Sequence, residues 1–291
     1  MKKLAFIQRN ENRHWVGDGF PVRSIFSYND RSAEMSPFLL LDYAGPLEFP
    51  PSEDHRRGVG EHPHRGFETV TMVYSGEVEH RDSSGGGGII GPGDVQWMTA
   101  ASGLVHSEFH GPEFAQRGGR FEVIQLWVNL RAKDKNAPAG YQSITNAQIP
   151  RVDLPNDAGS VRVIAGEYNG TRGPAHSFSP MNIWDVRVNA AHRVKFQFHS
   201  GYTTALFVLS GQIKLATGES IGEAEMAVME REGEELEFEA LEDTKLLMLN
   251  GEPIDEPVVG YGPFVMNSHT EIRQAVMDYQ RGRMGHLANM I

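Results

Sequence analysis

His62-Pro63-His64 and His106-Ser107-Glu108 bracket the stretch around which the rest of the chain is organised. In an extended strand alternate side chains leave on the same face, so each i, i+2 pair aims two ligating groups at one point. Two such strands side by side, facing one interior, supply three imidazoles and a carboxylate. This N3O donor set suits a borderline divalent transition metal, and suits magnesium or calcium poorly because those ions prefer oxygen alone. A lone histidine is usually a surface or core-satisfied residue, but two period-2 pairs separated by strand-and-turn sequence point to a metal site inside a β-barrel. Glu68 has parity matching His64 if the strand runs on without a bulge, so on spacing alone it competes with Glu108 as the carboxylate ligand. The matched pairs favour Glu108.

The sequence between the pairs is that of a barrel. Glu68 to Tyr74 is β-rich, Ser75-Gly76-Glu77 is turn-like, and Val78-Glu79-His80-Arg81-Asp82 alternates as a return strand does. The run Gly85 to Gly88 has neither the strand-loop-helix context nor the Lys-Ser/Thr end of a phosphate loop and reads as a hairpin tip. Gly91-Pro92-Gly93-Asp94 is a tight turn that starts another strand, Val95 to Thr99.

His62-Pro63-His64-Arg65-Gly66-Phe67-Glu68-Thr69-Val70, then Pro92 through Ala100, then Gly103-Leu104-Val105-His106-Ser107-Glu108 together resemble the pirins, a bicupin family. The resemblance spans nearly the whole chain, taking in Pro37 to Asp42, Gln125 to Leu130, Gly251 to Ile254 and Gly262 to Asn267. It implies an all-β fold of two tandem cupin (jelly-roll) β-barrels: a metal-binding barrel over 1–135, and a barrel without metal ligands over 136–291 that ends in a short helix. By position, the family's ligands fall on His62, His64, His106 and Glu108, which settles the carboxylate independently of the pairing argument. The general cupin pattern fits less closely, since its glutamate would fall on Glu68 and the glycines stand at Gly58 and Gly60.

With 291 residues the chain suits two domains, each able to bury a core. A formal charge of −11 and a pI of about 5.5 argue against direct nucleic-acid contact, which needs clustered Lys and Arg. There is no cysteine, so disulfides, thiolate ligands and cysteine nucleophiles are excluded. Met1-Lys2-Lys3-Leu4-Ala5-Phe6-Ile7 starts like a secretory signal, but Gln8 to Arg13 end the apolar run too soon. No stretch approaches a membrane span. The expectation is a cytoplasmic protein.

Elsewhere the segment 48–60 reads as a loop bordering the pocket mouth, with Asp54-His55-Arg56-Arg57 a solvated cluster. In Phe121 to Asn129, Gln125 and Trp127 share one strand face. An amide among apolar neighbours needs partners, so Gln125 holds either substrate or water near the metal, or a backbone group. Residues 131–155 read as a connector without strand or helix period. Ala205 to Leu215 repeats the strand-turn-strand pattern of Val70 to Val78, an internal duplication. The second half has no His-x-His or His-x-Glu pair, so one metal per chain is expected and the second barrel is expected to be filled by side chains. Glu223 to Glu239 reads as a solvated acidic face. Ser268 and Glu271 form a capping box, Ile272, Ala275, Val276 and Tyr279 recur at helical spacing, and Gly282 follows as a stop, which predicts a helix near 269–281.

The resemblance also implies quercetin 2,3-dioxygenase activity: one divalent metal, iron first, with nickel, copper, zinc, manganese or cobalt compatible. A small aromatic flavonol and dioxygen would be the reactants, Glu108 the catalytic base as well as a ligand, and carbon monoxide a product. The rival reading is a metal-dependent regulator acting through a protein partner without turnover.

Overall fold

The computed structural model describes residues 1–52 and 54–287. The chain forms two compact units, one of Asn12–Ser32, Phe38–Asn146 and Ile254–Ile291, the other of Met1–Glu11, Ala33–Pro37 and Ala147–Pro253. This differs from a linear split at 135/136, because both chain ends cross over. The amino-terminal strand Leu4–Arg9 satisfies its backbone by pairing with Glu225–Met229 at the edge of the second unit's sheet. The carboxy-terminal helix belongs to the first unit, where Ile272 and Ala275 pack with Val105, Phe264 and Met266.

In the first unit a seven-stranded antiparallel sheet runs in the order Gly140–Ile144, Val95–Thr99, Phe67–Ser75, Gly119–Asn129, Phe38–Phe49, Phe20–Ser27, His14–Val16. A four-stranded sheet has the order Gly58–His64, Leu104–His110, Val78–Asp82, Gly87–Ile90. The β-branched and aromatic content of these segments suits a pleated, half-buried surface. Between the sheets the chain turns at Gly66, whose φ of +93° excludes most side chains and whose missing Cβ would lie 1.9 Å from the Val265 carbonyl oxygen. His64 and Glu68 therefore stand on different strands of different sheets.

One line of directly opposed residues crosses the larger sheet: Ser24, Asp42, Gln125, Thr71 and Gln96. The 131–155 segment is more ordered than its composition suggests, since Gly140–Ile144 pairs with Val95–Thr99 at the sheet edge. Lys135 is buried there, its Nζ donating to Asn129 Oδ1 and the carbonyls of Gly66 and Val265 at 2.7–2.9 Å. Burial lowers its pKa to about 7, with Glu256 and Glu271 opposing.

The second unit repeats the plan. Its seven-stranded sheet includes Thr203–Ser210, Thr244–Gly251 and Met181–Val188, and its four-stranded sheet includes Arg193–Gln197 and Glu235–Ala240. Trp184, Phe196, Leu206, Phe238 and Leu246 belong to its apolar core. In Glu235–Ala240 the even positions Leu236, Phe238 and Ala240 are buried, while Glu235, Glu237 and Glu239 pair with Arg193 and Lys195. Glu235, Glu237 and Glu239 of the acidic run thus form the outer face of a strand. The helix His269–Gln280 begins on the Ser268 cap, whose hydroxyl accepts from the Glu271 N–H, and Asp278 on its inner side pairs with Arg65 at 2.8 Å. Among the described residues no helix is long and apolar enough to cross a membrane.

Candidate metal centre

Gly58–His64 and Leu104–His110 pair antiparallel with His62 directly opposite His106, and the register shifts between His106 and Glu108. The three imidazoles meet: ring centroids lie 4.2 Å apart for His62–His106, 4.8 Å for His64–His106 and 5.0 Å for His62–His64. Donor atoms of His62, His64 and His106 lie within 4.8 Å of one another, and Glu108 has this spacing to His106 and His80. His106 is common to both groups and stands at the centre of the cluster.

The donor set fits a divalent ion. His106 Nε2 is buried without a hydrogen-bond partner, which is costly for a polar atom unless something else occupies it. His62 Nδ1 lies 2.7 Å from the Gly60 carbonyl, so it carries the proton and Nε2 keeps the lone pair. Burial, and then the neighbouring imidazoles, push the pKa values of His64 and His106 well below the ordinary histidine value; for His64 the Pro263 carbonyl, short of hydrogen-bonding geometry, opposes. Neutral imidazoles are the form that binds metal. Glu108 Oε1 accepts from Gln96 Nε2 at 2.5 Å, which orients the carboxylate and leaves Oε2 uncommitted.

Behind His106 stands a pair that the sequence reading passed over. His80 and Asp82 are buried on Val78–Asp82, with Glu108 directly opposite His80 and His106 opposite Asp82. His80 Nε2 lies 3.0 Å from Asp82 Oδ2, and His80 Nδ1 lies 3.2 Å from His106 Nδ1. Although burial acts to raise it, hydrogen bonds from His80, Ser84 and Gly86 hold the Asp82 carboxyl below its usual range. An ionised Asp82 only accepts, so His80 carries its proton on Nε2 and accepts at Nδ1; His106 then donates from Nδ1 and presents Nε2 as a lone pair. With both ring nitrogens engaged, His80 orients the His106 ring and keeps no lone pair free for an ion. His80-x-Asp82 is itself an i, i+2 pair and was visible in the sequence as such.

The centre opens onto a mostly apolar cavity of about 330 Å³, lined in part by His62, His64, Glu108, Trp127, Gln125 and Asp42. The profile of the pirin family matches residues 19–128, and that of the pirin C-terminal cupin domain matches residues 183–285. The chain belongs to the pirin family. This pirin is 57% identical over 284 residues to a Pseudomonas aeruginosa protein named "Putative quercetin 2,3-dioxygenase", with 97% of the chain and 98% of the relative covered. It is 33% identical over 257 residues to the Homo sapiens protein named pirin, covering 86% and 83%. Among solved structures, a quercetin 2,3-dioxygenase from Acinetobacter baumannii superposes with a TM-score of 0.95 at 49% identity, covering 98% and 99%. A bacterial pirin from Escherichia coli in complex with nickel(II) gives 0.62 at 17% identity, covering 86% and 99%, a likeness of fold.

Glu68 plays a different part in this pirin. It pairs across to Thr99, whose hydroxyl donates to Oε1 at 2.7 Å, and it alternates with Thr71, so it leaves the sheet on the face away from Glu108. Burial pushes its pKa up to about 7, with Thr99 and Trp97 opposing. Gln125 does line the cavity with Trp127, and its Oε1 accepts from Thr71 Oγ1 at 2.6 Å, a side-chain partner in place of a backbone one. The 54–57 cluster is tied to the scaffold: His55 to Asp18 at 2.6 Å, Arg56 to Glu79, and Arg57 to the Pro50 carbonyl.

Proposed function

We propose that His62, His64, His106 and Glu108 hold one divalent transition metal, iron first, and that this pirin is a quercetin 2,3-dioxygenase-type enzyme. It would open the central ring of a flavonol with dioxygen and release carbon monoxide. The observation that carries the reading is the convergence of buried, unpartnered imidazole nitrogen and a tethered carboxylate at the wall of an apolar cavity. Buried polar atoms aimed into a cavity of ligand size are the mark of a binding site.

A divalent ion at this place supplies a positive charge that stabilises a deprotonated hydroxyl. Glu108 takes the proton of that hydroxyl. Its Oε1 is fixed by Gln96, so Oε2 is the oxygen left to receive it. Phe20, Val22 and Val123 exclude water from the reacting ring, and Trp127, stacked on Phe67 with centroids 4.3 Å apart, provides a rigid flat wall for it. The names of the Pseudomonas and Acinetobacter relatives support the choice of substrate. Elemental analysis of purified protein followed by an aerobic assay with quercetin, with carbon monoxide detection, tests the proposal. Turnover with carbon monoxide release, lost on chelation, is expected; a metal-loaded protein that leaves quercetin unchanged would refute it.

A further inference from the structure

We propose that Asp42 and Gln125 form a second polar pole in the cavity, one that takes a hydroxyl on the part of the substrate remote from the metal. The inference rests on the flavonol reading and deepens it, since it assigns the residues that would select among phenolic substrates.

It starts from the line of opposed residues across the large sheet. Ser24, Asp42, Gln125, Thr71 and Gln96 occupy neighbouring strands in register. Their side chains form a hydrogen-bonded row that ends on the candidate ligand Glu108. Gln96 Nε2 donates to Glu108 Oε1 at 2.5 Å and to Thr71 Oγ1 at 3.1 Å, and Thr71 Oγ1 donates to Gln125 Oε1 at 2.6 Å. From the other end, Ser24 Oγ donates to Asp42 Oδ1 at 2.5 Å. Among the described hydrogen bonds the row has one break, between Asp42 and Gln125, and both residues line the cavity at that point.

The groups left at the break are complementary to a hydroxyl. Asp42 Oδ2 is an acceptor and the Gln125 amide keeps its N–H donors, while a phenolic hydroxyl both donates and accepts. A hydroxyl seated there would bridge the row. Burial raises the Asp42 carboxyl above its ordinary pKa, with Ser24 and then His14 opposing. A carboxyl in apolar surroundings gains more from a donor than one in water.

The spacing suits a flat, multi-ring ligand. Asp42 lies two strands from Thr71, a lateral distance of about 10 Å at the usual strand separation. A ligand with one hydroxyl at the metal and another at Asp42 must therefore extend over more than one ring. In an otherwise apolar cavity the pole would also reject an analogue lacking the second hydroxyl, because its polar groups would then stay unpaired.

The test compares quercetin, hydroxylated on its pendant ring, with a flavonol unsubstituted there. Binding to metal-loaded protein is followed without oxygen by quenching of tryptophan fluorescence. Wild type should bind quercetin about 10- to 100-fold more tightly. Asp42→Leu should bring that ratio close to one with metal content unchanged, and Gln125→Leu, which also serves if the first variant does not fold, should lower it. A ratio that survives in a folded variant with full metal would overturn the assignment while leaving the flavonol reading intact. Failure of both flavonols to bind wild type would overturn the two together.

Discussion

Replacing His80 with phenylalanine removes no proposed ligand, yet it should weaken metal binding. His80 and His106 are both fully buried, and among the described residues the one hydrogen-bond partner of His106 Nδ1 is His80 Nδ1 at 3.2 Å. Without it, the His106 proton is free to move to Nε2, the nitrogen that must carry a lone pair, and metal binding has to drive it back to an unpartnered Nδ1. Leaving a buried donor unmade costs about 1–3 kcal/mol, and loss of such supporting bonds typically lowers metal affinity about 10- to 100-fold. The two estimates agree, since about 1.4 kcal/mol is a factor of ten. Asp82→Asn should do comparable harm by another route. Its carboxamide would keep the bonds from Ser84 and Gly86 on one oxygen and turn an N–H donor toward His80, forcing the His80 proton onto Nδ1 against that of His106. Competition for nickel(II) against a colorimetric chelator measures both variants, with thermal melts of the metal-free proteins as the control for folding. A folded His80→Phe protein with wild-type affinity would refute the reasoning.

Glu68 should make stability fall with rising pH. The folded state holds its proton to about pH 7 and the unfolded state only to about 4.5, so across that window the folded state binds more protons and loses stability, by about 3 kcal/mol in all. Chemical denaturation from pH 4 to 8 should show Glu68→Gln gaining on wild type by that amount, and parallel curves would contradict it. Glu108→Gln should retain much of the metal through the imidazoles and lose turnover by about 100-fold or more; undiminished turnover would dismiss the base role. Because burial depresses the pKa values of His64 and His106, metal should stay bound below pH about 6.5, where an ordinary imidazole protonates. Release tracking that ordinary titration would count against the buried cluster.

What could be seen in the sequence follows from the range of the interactions concerned. The His62/His64 and His106/Glu108 pairs were legible because a strand repeats every two residues, and the terminal helix because its Ser268–Glu271 cap is local. The parity argument for Glu68 failed at Gly66, where one turn moves the chain to a different sheet. Asp42 gave no signal: its neighbour Gln125 is set by the register of distant strands, which no local pattern encodes. Lys135 likewise lies in a polar segment, and only the fold supplies the three oxygens that allow it to be buried. The crossing of the chain ends has the same origin, since the partners of Leu4–Arg9 lie more than two hundred residues away.

Diffraction data from metal-loaded crystals, collected at the absorption edge of the ion, test the central claim most directly. We expect one anomalous peak per chain about 2.0–2.3 Å from a nitrogen each of His62, His64 and His106 and from a carboxylate oxygen of Glu108. A peak held by His80 in place of His62 and His64, or lying away from these side chains, would contradict it.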